Sequence, residues 1–190
     1  MQDEPPVWVL RLGHRPGRDE RMSTHVGLTA RALGADRVIF AGSADGPKET
    51  VSDITERFGG PFDVEIRDSY RPLLREWDGQ MVHLTMYGLP IEDCAPDIRT
   101  AHRSAPLLVV VGAEKVAGEV YDAADWNVGV TNQPHSEVAS LAVFLDRLFE
   151  GRELDREWED AERTVVPQER GKRVVNPDDS STAERTERSE

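Results

Sequence analysis

Lysine is almost missing from this chain of 190 residues: Lys48, Lys115 and Lys172 are its only three. The basic complement is therefore arginine, and 23 Lys+Arg stand against 36 Asp+Glu, a formal net charge of -13. That balance is a poor match to the basic stripe expected of a nucleic-acid binder. A surface rich in carboxylates and poor in lysine and large aliphatics is what a high-salt cytoplasm selects. We read the acidity as a solubility property of that kind, with a partner that selects acidic proteins as the alternative. Cysteine is equally scarce. Cys94 stands alone, which rules out an intrachain disulfide and a thiolate metal cluster, and its setting predicts a small buried thiol in a helix. The five histidines are scattered and form no metal-binding constellation, so no metal is expected. No apolar run is long enough to span a bilayer and no charged-then-apolar leader opens the chain, so a soluble, cytoplasmic protein without membrane contact is expected. A Walker-type Gly-Lys-Ser/Thr loop is missing too, which argues against a nucleotide hydrolase.

What is present alternates strand with helix. Val7 to Leu10 and Arg37 to Ala41 read as short apolar strands, Phe62 to Arg67 as an edge strand, and Gln80 to Met86 as another strand. Leu107 to Val111 is an unbroken apolar run between Pro106 and Gly112. Such a run suits a strand buried on both faces, hence a mainly parallel sheet in an α/β fold. Between the strands we expect helices over Ser23 or Thr24 to Leu33, Glu49 to Phe58, Tyr70 to Trp77 and Pro90 to Ala101, the last interrupted at Pro96. Trp126 to Val130 reads as a further strand. After a polar loop, Ser136 caps a long helix with Val138, Leu141, Ala142, Leu145, Leu148 and Phe149 on one face. Residues 1–150 thus form the main domain. Residues 151–175 form an extension, with a charged helix over Glu150 to Glu162 and a hairpin of Thr164-Val165-Val166 with Arg173-Val174-Val175. Residues 176–190 have too little apolar surface to order themselves.

Two loops follow the carboxyl ends of expected strands, GAEKV from Gly112 and TNQPHSE from Thr131. In open α/β sheets ligands bind in that crevice, and the second loop leads into a helix amino terminus with free N–H groups. A plain turn-and-cap role is the alternative. Near the amino terminus Arg11, His14, Arg15, Arg18 and Arg21 reverse the local charge. Arginine forks suit phosphate oxygens, whereas pairing with Asp19 and Glu20 would make the segment an ordinary solvated loop.

The segments GAEKV and NVGVTNQPHSEVASLAVFLDRL, with VLRLGHRPGRDERMSTHVGLTARALGA and HLTMYG, closely resemble the archaeal tRNA (cytidine-56) 2'-O-methyltransferase family of the SPOUT superfamily. The resemblance implies a trefoil-knotted α/β fold with a mainly parallel sheet flanked by helices, a homodimer, and S-adenosylmethionine as cofactor. It implies a tRNA partner methylated in its T-loop. The cofactor would then rest on Leu84, on Gly112, Ala113, Glu114, Lys115 and Val116, and on Val130, Thr131, Asn132, Gln133, Pro134, His135, Ser136 and Glu137. Ribose methyltransferases of the wider superfamily carry an arginine six residues after an asparagine in the amino-terminal helix. HVGLTAR places Arg31 at that arginine and His25 at the asparagine, a departure from the pattern. Arg31 is the first catalytic candidate, against an exposed arginine that merely favours a helix dipole. Arg18 and Arg21 are further candidates for orienting phosphate and ribose. A non-catalytic RNA-binding protein of the same fold, and a methyltransferase aimed at another nucleotide, are the rival readings.

Overall fold

The computed structural model describes residues 4–112 and 115–176. Internal contacts divide them into two units, residues 4–51 with 62–156, and residues 52–61 with 157–176. In the first unit six parallel strands form one sheet: β1 (Val7–Arg11), β2 (Arg37–Ala41), β3 (Asp63–Arg67), β4 (Gln80–Pro90), β5 (Leu107–Val111) and β6 (Trp126–Gly129). Their spatial order is β3-β2-β1-β5-β4-β6. β5 is the strand on which the sheet is centred. It pairs with β1 from Val7↔Leu107 to Arg11↔Val111 and with β4 from Gln80↔Leu107 to Leu84↔Val111.

All five residues of β5 are buried, because the sheet is covered on both faces. Alternate side chains of each strand enter separate cores. Val9, Val38, Val82, Leu107 and Val109 pack with Val26 and Ala30 of α1 (Glu20–Ala32), Ile91 and Ile98 of α4 (Ile91–His102), and Leu141, Phe144 and Leu145 of α6 (Glu137–Phe149). Leu10, Ile39, Met81, Leu108 and Val110 pack on the other side with Leu73 of α3 (Arg71–Glu76) and Val120 of α5 (Gly118–Ala123).

Several boundaries differ from expectation. α1 starts at Glu20 rather than beyond Ser23, because Ser23 is buried inside the helix with its hydroxyl 2.8 Å from His14 Nδ1, where it cannot serve as a cap. Arg11 is the last residue of β1 and 2% exposed, so it is no part of a solvated loop. The second helix, α2 (Asp45–Phe58), begins four residues early and accommodates Pro47 in its first turn, where a missing N–H costs nothing. Pro96 does not split α4, which runs unbroken through it.

β4 continues past Tyr87-Gly88 to Pro90, with its register to β6 shifting between Leu84 and Leu89. Gly88 is what permits this. A Cβ there would lie 2.5 Å from the backbone of Asn127 and Val128. α6 ends as expected at Phe149, but no long charged helix continues it. Glu150 and Gly151 adopt left-handed backbone at φ 57° and 80°, and only one turn of 3-10 helix follows, Arg152–Asp155.

In the second unit β7 (Thr164–Val166) pairs antiparallel with β8 (Arg173–Val175), the expected hairpin. Gly60 and Glu159 form an isolated bridge, and the Arg163 N–H donates to the Arg57 carbonyl. The segment expected to lack order, apart from Asn176, lies outside the described residues.

Candidate active site

The carboxyl ends of β4, β5 and β6 open onto a cleft of about 610 Å³, within the usual size of small-molecule sites. Its floor and walls are partly apolar, from Leu84, Val111 and Val116. Of the residues anticipated for a cofactor, Leu84, Gly112, Lys115, Val116, Pro134, His135 and Glu137 line it together. Gly112 opens the loop after β5 in a space where a Cβ would meet Val116 Cγ2 at 2.6 Å. Ala113 and Glu114 lie outside the described residues.

The loop between β6 and α6 reaches the cleft through Pro134 and His135, while Val130, Thr131, Asn132, Gln133 and Ser136 do not contribute to its lining. These have structural work instead. Asn132 Nδ2 donates to the carbonyls of Met86 and Gly88 at 2.7 and 3.0 Å, tying the loop to the irregular part of β4. Ser136 accepts from the Val138 N–H as N-cap of α6. His135 Nδ1 sits 2.6 Å from the Gln133 carbonyl, which sets the ring within its own loop.

Glu137 is the most constrained of the group. Arg11 Nη2 lies 3.1 Å from its Oε2, and Arg11 Nη1 also donates to the Leu12 carbonyl. Burial pushes the Glu137 carboxyl above its ordinary range, and the Arg11 charge pulls it back. The first strand is thereby locked to the first turn of α6, beside the cleft. Sequence reasoning placed Arg11 among phosphate-seeking arginines, since a spacing pattern cannot reveal that a partner 126 positions away shares its burial.

The other anticipated arginines divide. Arg15 donates from Nε to Asp19 Oδ2 at 2.9 Å, and those bonds hold the Asp19 carboxyl below the usual range. Arg18 and Arg21 are exposed. Arg31 is not an exposed helix-end residue: it is 7% exposed in the last turn of α1, and burial, then the charge of Arg156, push its guanidinium below the ordinary arginine range. Arg18, Arg21 and Arg31 do not line the cleft.

The cleft also takes in His83, Thr85, Met86 and Tyr87, which sequence reasoning held within the HLTMYG match but gave no site role, and Tyr121 and Ser140, which it passed over. One signal was available. A histidine among the apolar residues Met81, Val82 and Leu84 of β4 is out of place in a buried stretch of strand.

Among the described residues there is no group of three or more His, Cys, Asp or Glu that could hold a metal ion, and no helix long and apolar enough to cross a membrane. The solved structures of similar fold include an RNA 2'-O ribose methyltransferase, with TM-score 0.57 at 17% identity over 79% of this chain. They also include the SpoU methyltransferase AviRb from Streptomyces viridochromogenes in complex with AdoMet, with TM-score 0.54 at 14% identity over 78% of this chain. The chain spans 57% and 58% of those two molecules, a likeness of fold.

Sequence relatives are far nearer. A tRNA (cytidine(56)-2'-O)-methyltransferase of Haloarcula marismortui is 69% identical over 94% of this chain and 99% of its own length. One from Thermococcus kodakarensis is 57% identical over 89% of this chain and 96% of its own. Residues 58–175 match the family described as tRNA ribose 2'-O-methyltransferase, aTrm56. By that match and those identities, the chain belongs to the aTrm56 family of tRNA ribose 2'-O-methyltransferases.

Proposed function

We propose that this enzyme methylates the 2'-hydroxyl of cytidine 56 in the tRNA T-loop, and that the cleft at the ends of β4, β5 and β6 holds its S-adenosylmethionine. The observation that carries this reading is the convergence on one cleft of Leu84, of Gly112 with Val116, and of Pro134 with His135, from three separate strand ends. The residues fit the cofactor's chemistry. Leu84, Val111 and Val116 offer apolar surface to a flat base, and Gly112 keeps the backbone accessible to it.

When bound, the cofactor supplies an electrophilic sulfonium methyl, so the protein's task is to hold, orient and assist loss of the hydroxyl proton. The loops after β5 and β6 do the holding. Arg18, exposed in the turn before α1, and Arg21, exposed in its first turn, orient phosphate and ribose of the RNA. Arg31 contributes electrostatic stabilisation of the negative charge that develops on the ribose oxygen. Because none of the three lines the cleft, the same reading includes a homodimer in which a second copy brings arginines to it, and the knotted chain crossing of the SPOUT superfamily. The acid excess belongs to a high-salt cytoplasm, which the haloarchaeal relatives support.

The test is transfer of a labelled methyl group from S-adenosylmethionine to unmodified tRNA in high potassium chloride. A parallel tRNA already 2'-O-methylated at cytidine 56 serves as control. Label entering the first and not the second is the expected result. Equal labelling of both overturns the position, and failure to bind the cofactor overturns the enzymatic reading of the cleft.

A further inference from the structure

The cleft wall contains a hydrogen-bond acceptor that is unpaired among the described residues. His83, the fourth residue of β4, is completely buried. Its Nδ1 lies 2.9 Å from Asn127 Oδ1, and Asn127 Nδ2 donates to the Tyr121 carbonyl at 3.0 Å. With the amide's donor end committed, Oδ1 faces the imidazole and can only accept. Nδ1 therefore carries the proton, and Nε2 presents a lone pair. Tyr121 meets the ring edge-on, at 4.6 Å between centroids and 88° between planes, which fixes the direction of that lone pair.

Nε2 has no hydrogen-bond partner among the described residues. It lies 3.9 Å from the point that a Cβ on Gly112 would occupy, under the residue that opens the loop after β5. Buried acceptors in native proteins are almost always satisfied, so an unpaired one on a residue that lines a ligand cleft calls for a donor that arrives with the ligand. Burial also holds this imidazole below its ordinary range, which keeps the lone pair in place at neutral pH.

The donor has a recognisable chemistry. The cleft lining includes Leu84, Val111, Val116 and the Tyr121 ring beside the polar side chains of Thr85 and Ser140. Glu137, the carboxylate among the described lining residues, is already paired with Arg11. Among the described lining residues a cationic ammonium would find no free counter-charge, whereas a neutral amine or hydroxyl on a flat nucleoside would fit. We propose that His83 Nε2 accepts a hydrogen bond from the nucleoside half of the cofactor, either its exocyclic amine or a ribose hydroxyl, and so selects adenosine-type ligands. This rests on the reading of the cleft as the S-adenosylmethionine site.

Isothermal titration with S-adenosylhomocysteine in high potassium chloride tests it. Analogues lacking the 6-amino group, the 2'-hydroxyl or the 3'-hydroxyl are titrated in parallel. Wild-type protein should bind S-adenosylhomocysteine and discriminate against one analogue, which identifies the donor. His83→Phe should weaken S-adenosylhomocysteine about tenfold, equivalent to about 1.4 kcal/mol, and bind that analogue no more weakly than the parent. His83→Gln, which keeps an acceptor, should recover part of the loss. If His83→Phe binds like wild type, or shows the same analogue penalties, the proposal is overturned. A wild-type protein indifferent to all three analogues overturns it too, whatever the variants do. Wild-type protein that binds no S-adenosylhomocysteine would instead overturn the cofactor reading, and this inference with it.

Discussion

At the scale of single residues, burial sets the chemistry more than sequence position does. Arg11 and Glu137 illustrate this. Arg11 is 2% exposed, so Glu137→Gln leaves a buried guanidinium with the Leu12 carbonyl but without its counter-ion. Removing one partner of a buried pair costs about 3–5 kcal/mol. Because the Glu137 side chain is itself 28% exposed, we expect the lower end, a loss of about 3 kcal/mol in denaturant titration at constant salt. A loss under about 1 kcal/mol would mean that the pair contributes no more than a surface ion pair.

His102 gives a second residue-level expectation. It is 5% exposed, and burial lowers its proton affinity from the ordinary 6.5, a shift only partly offset by the Ala105 carbonyl and the charges of Glu4 and Asp36. Its unfolded form therefore takes up a proton at a higher pH than its folded form. The stability linked to it is complete above about 6.5 and falls as pH drops from there through the lowered folded value. His83 acts in the same sense, and Glu137 and Glu153, raised by burial, in the opposite one. Comparison with His102→Asn isolates the single contribution: the variant's unfolding free energy should lose less than wild type's between pH 7.5 and 5.5. Parallel curves for the two proteins would contradict this.

At the scale of elements, the β4–β6 junction connects local irregularity to the cleft. Gly88→Ala would put a methyl group 2.5 Å from the β6 backbone. The strands must part, and overpacking of this sort costs about 1–3 kcal/mol. The carbonyls of Met86 and Gly88 would also move away from Asn132. We expect a lowered denaturation midpoint together with weaker S-adenosylhomocysteine binding; an unchanged midpoint would show that the junction yields freely.

The same junction marks the limit of what could be read from the chain. β2 and β5 were legible to the residue, since a β-branched run bounded by Gly or Pro has few alternatives. The N-cap at Ser136 was legible for similar reasons. The continuation of β4 through Gly88 was not, because glycine reads as a stop and only the nearness of β6 makes it a passage. Nor was the site complete in the sequence. Gly112 and Pro134 sit in recognisable loops, but His83 and Tyr121 meet only when β4 and α5 are assembled, and no local pattern encodes that meeting.

At the scale of the whole molecule, charge dominates. A formal net charge of -13 repels itself in dilute buffer and is screened within about 3 Å at 1 M salt. We expect the protein to unfold or loosen on dialysis from molar potassium chloride into low salt, with loss of far-ultraviolet circular dichroism and recovery on return. A spectrum and melting temperature independent of salt would refute adaptation to brine. In such solvent the counterion-release drive for tRNA binding is weak, so shape and stacking must carry more of the affinity.

The pairing of β1 with β5 gives the chain a schedule. Val7 and Leu107 are register partners, so one edge of the first strand waits for a segment that is made 100 residues later. At about 5–20 residues per second, typical of synthesis, that wait is roughly 5–20 s. β2 and β3 can settle on the far side of β1 in the meantime, but the near side stays open to any passing strand. The slot at the centre of the finished sheet is thus filled late, and in the living cell the nascent chain is most exposed to mispairing just before its most buried strand leaves the ribosome.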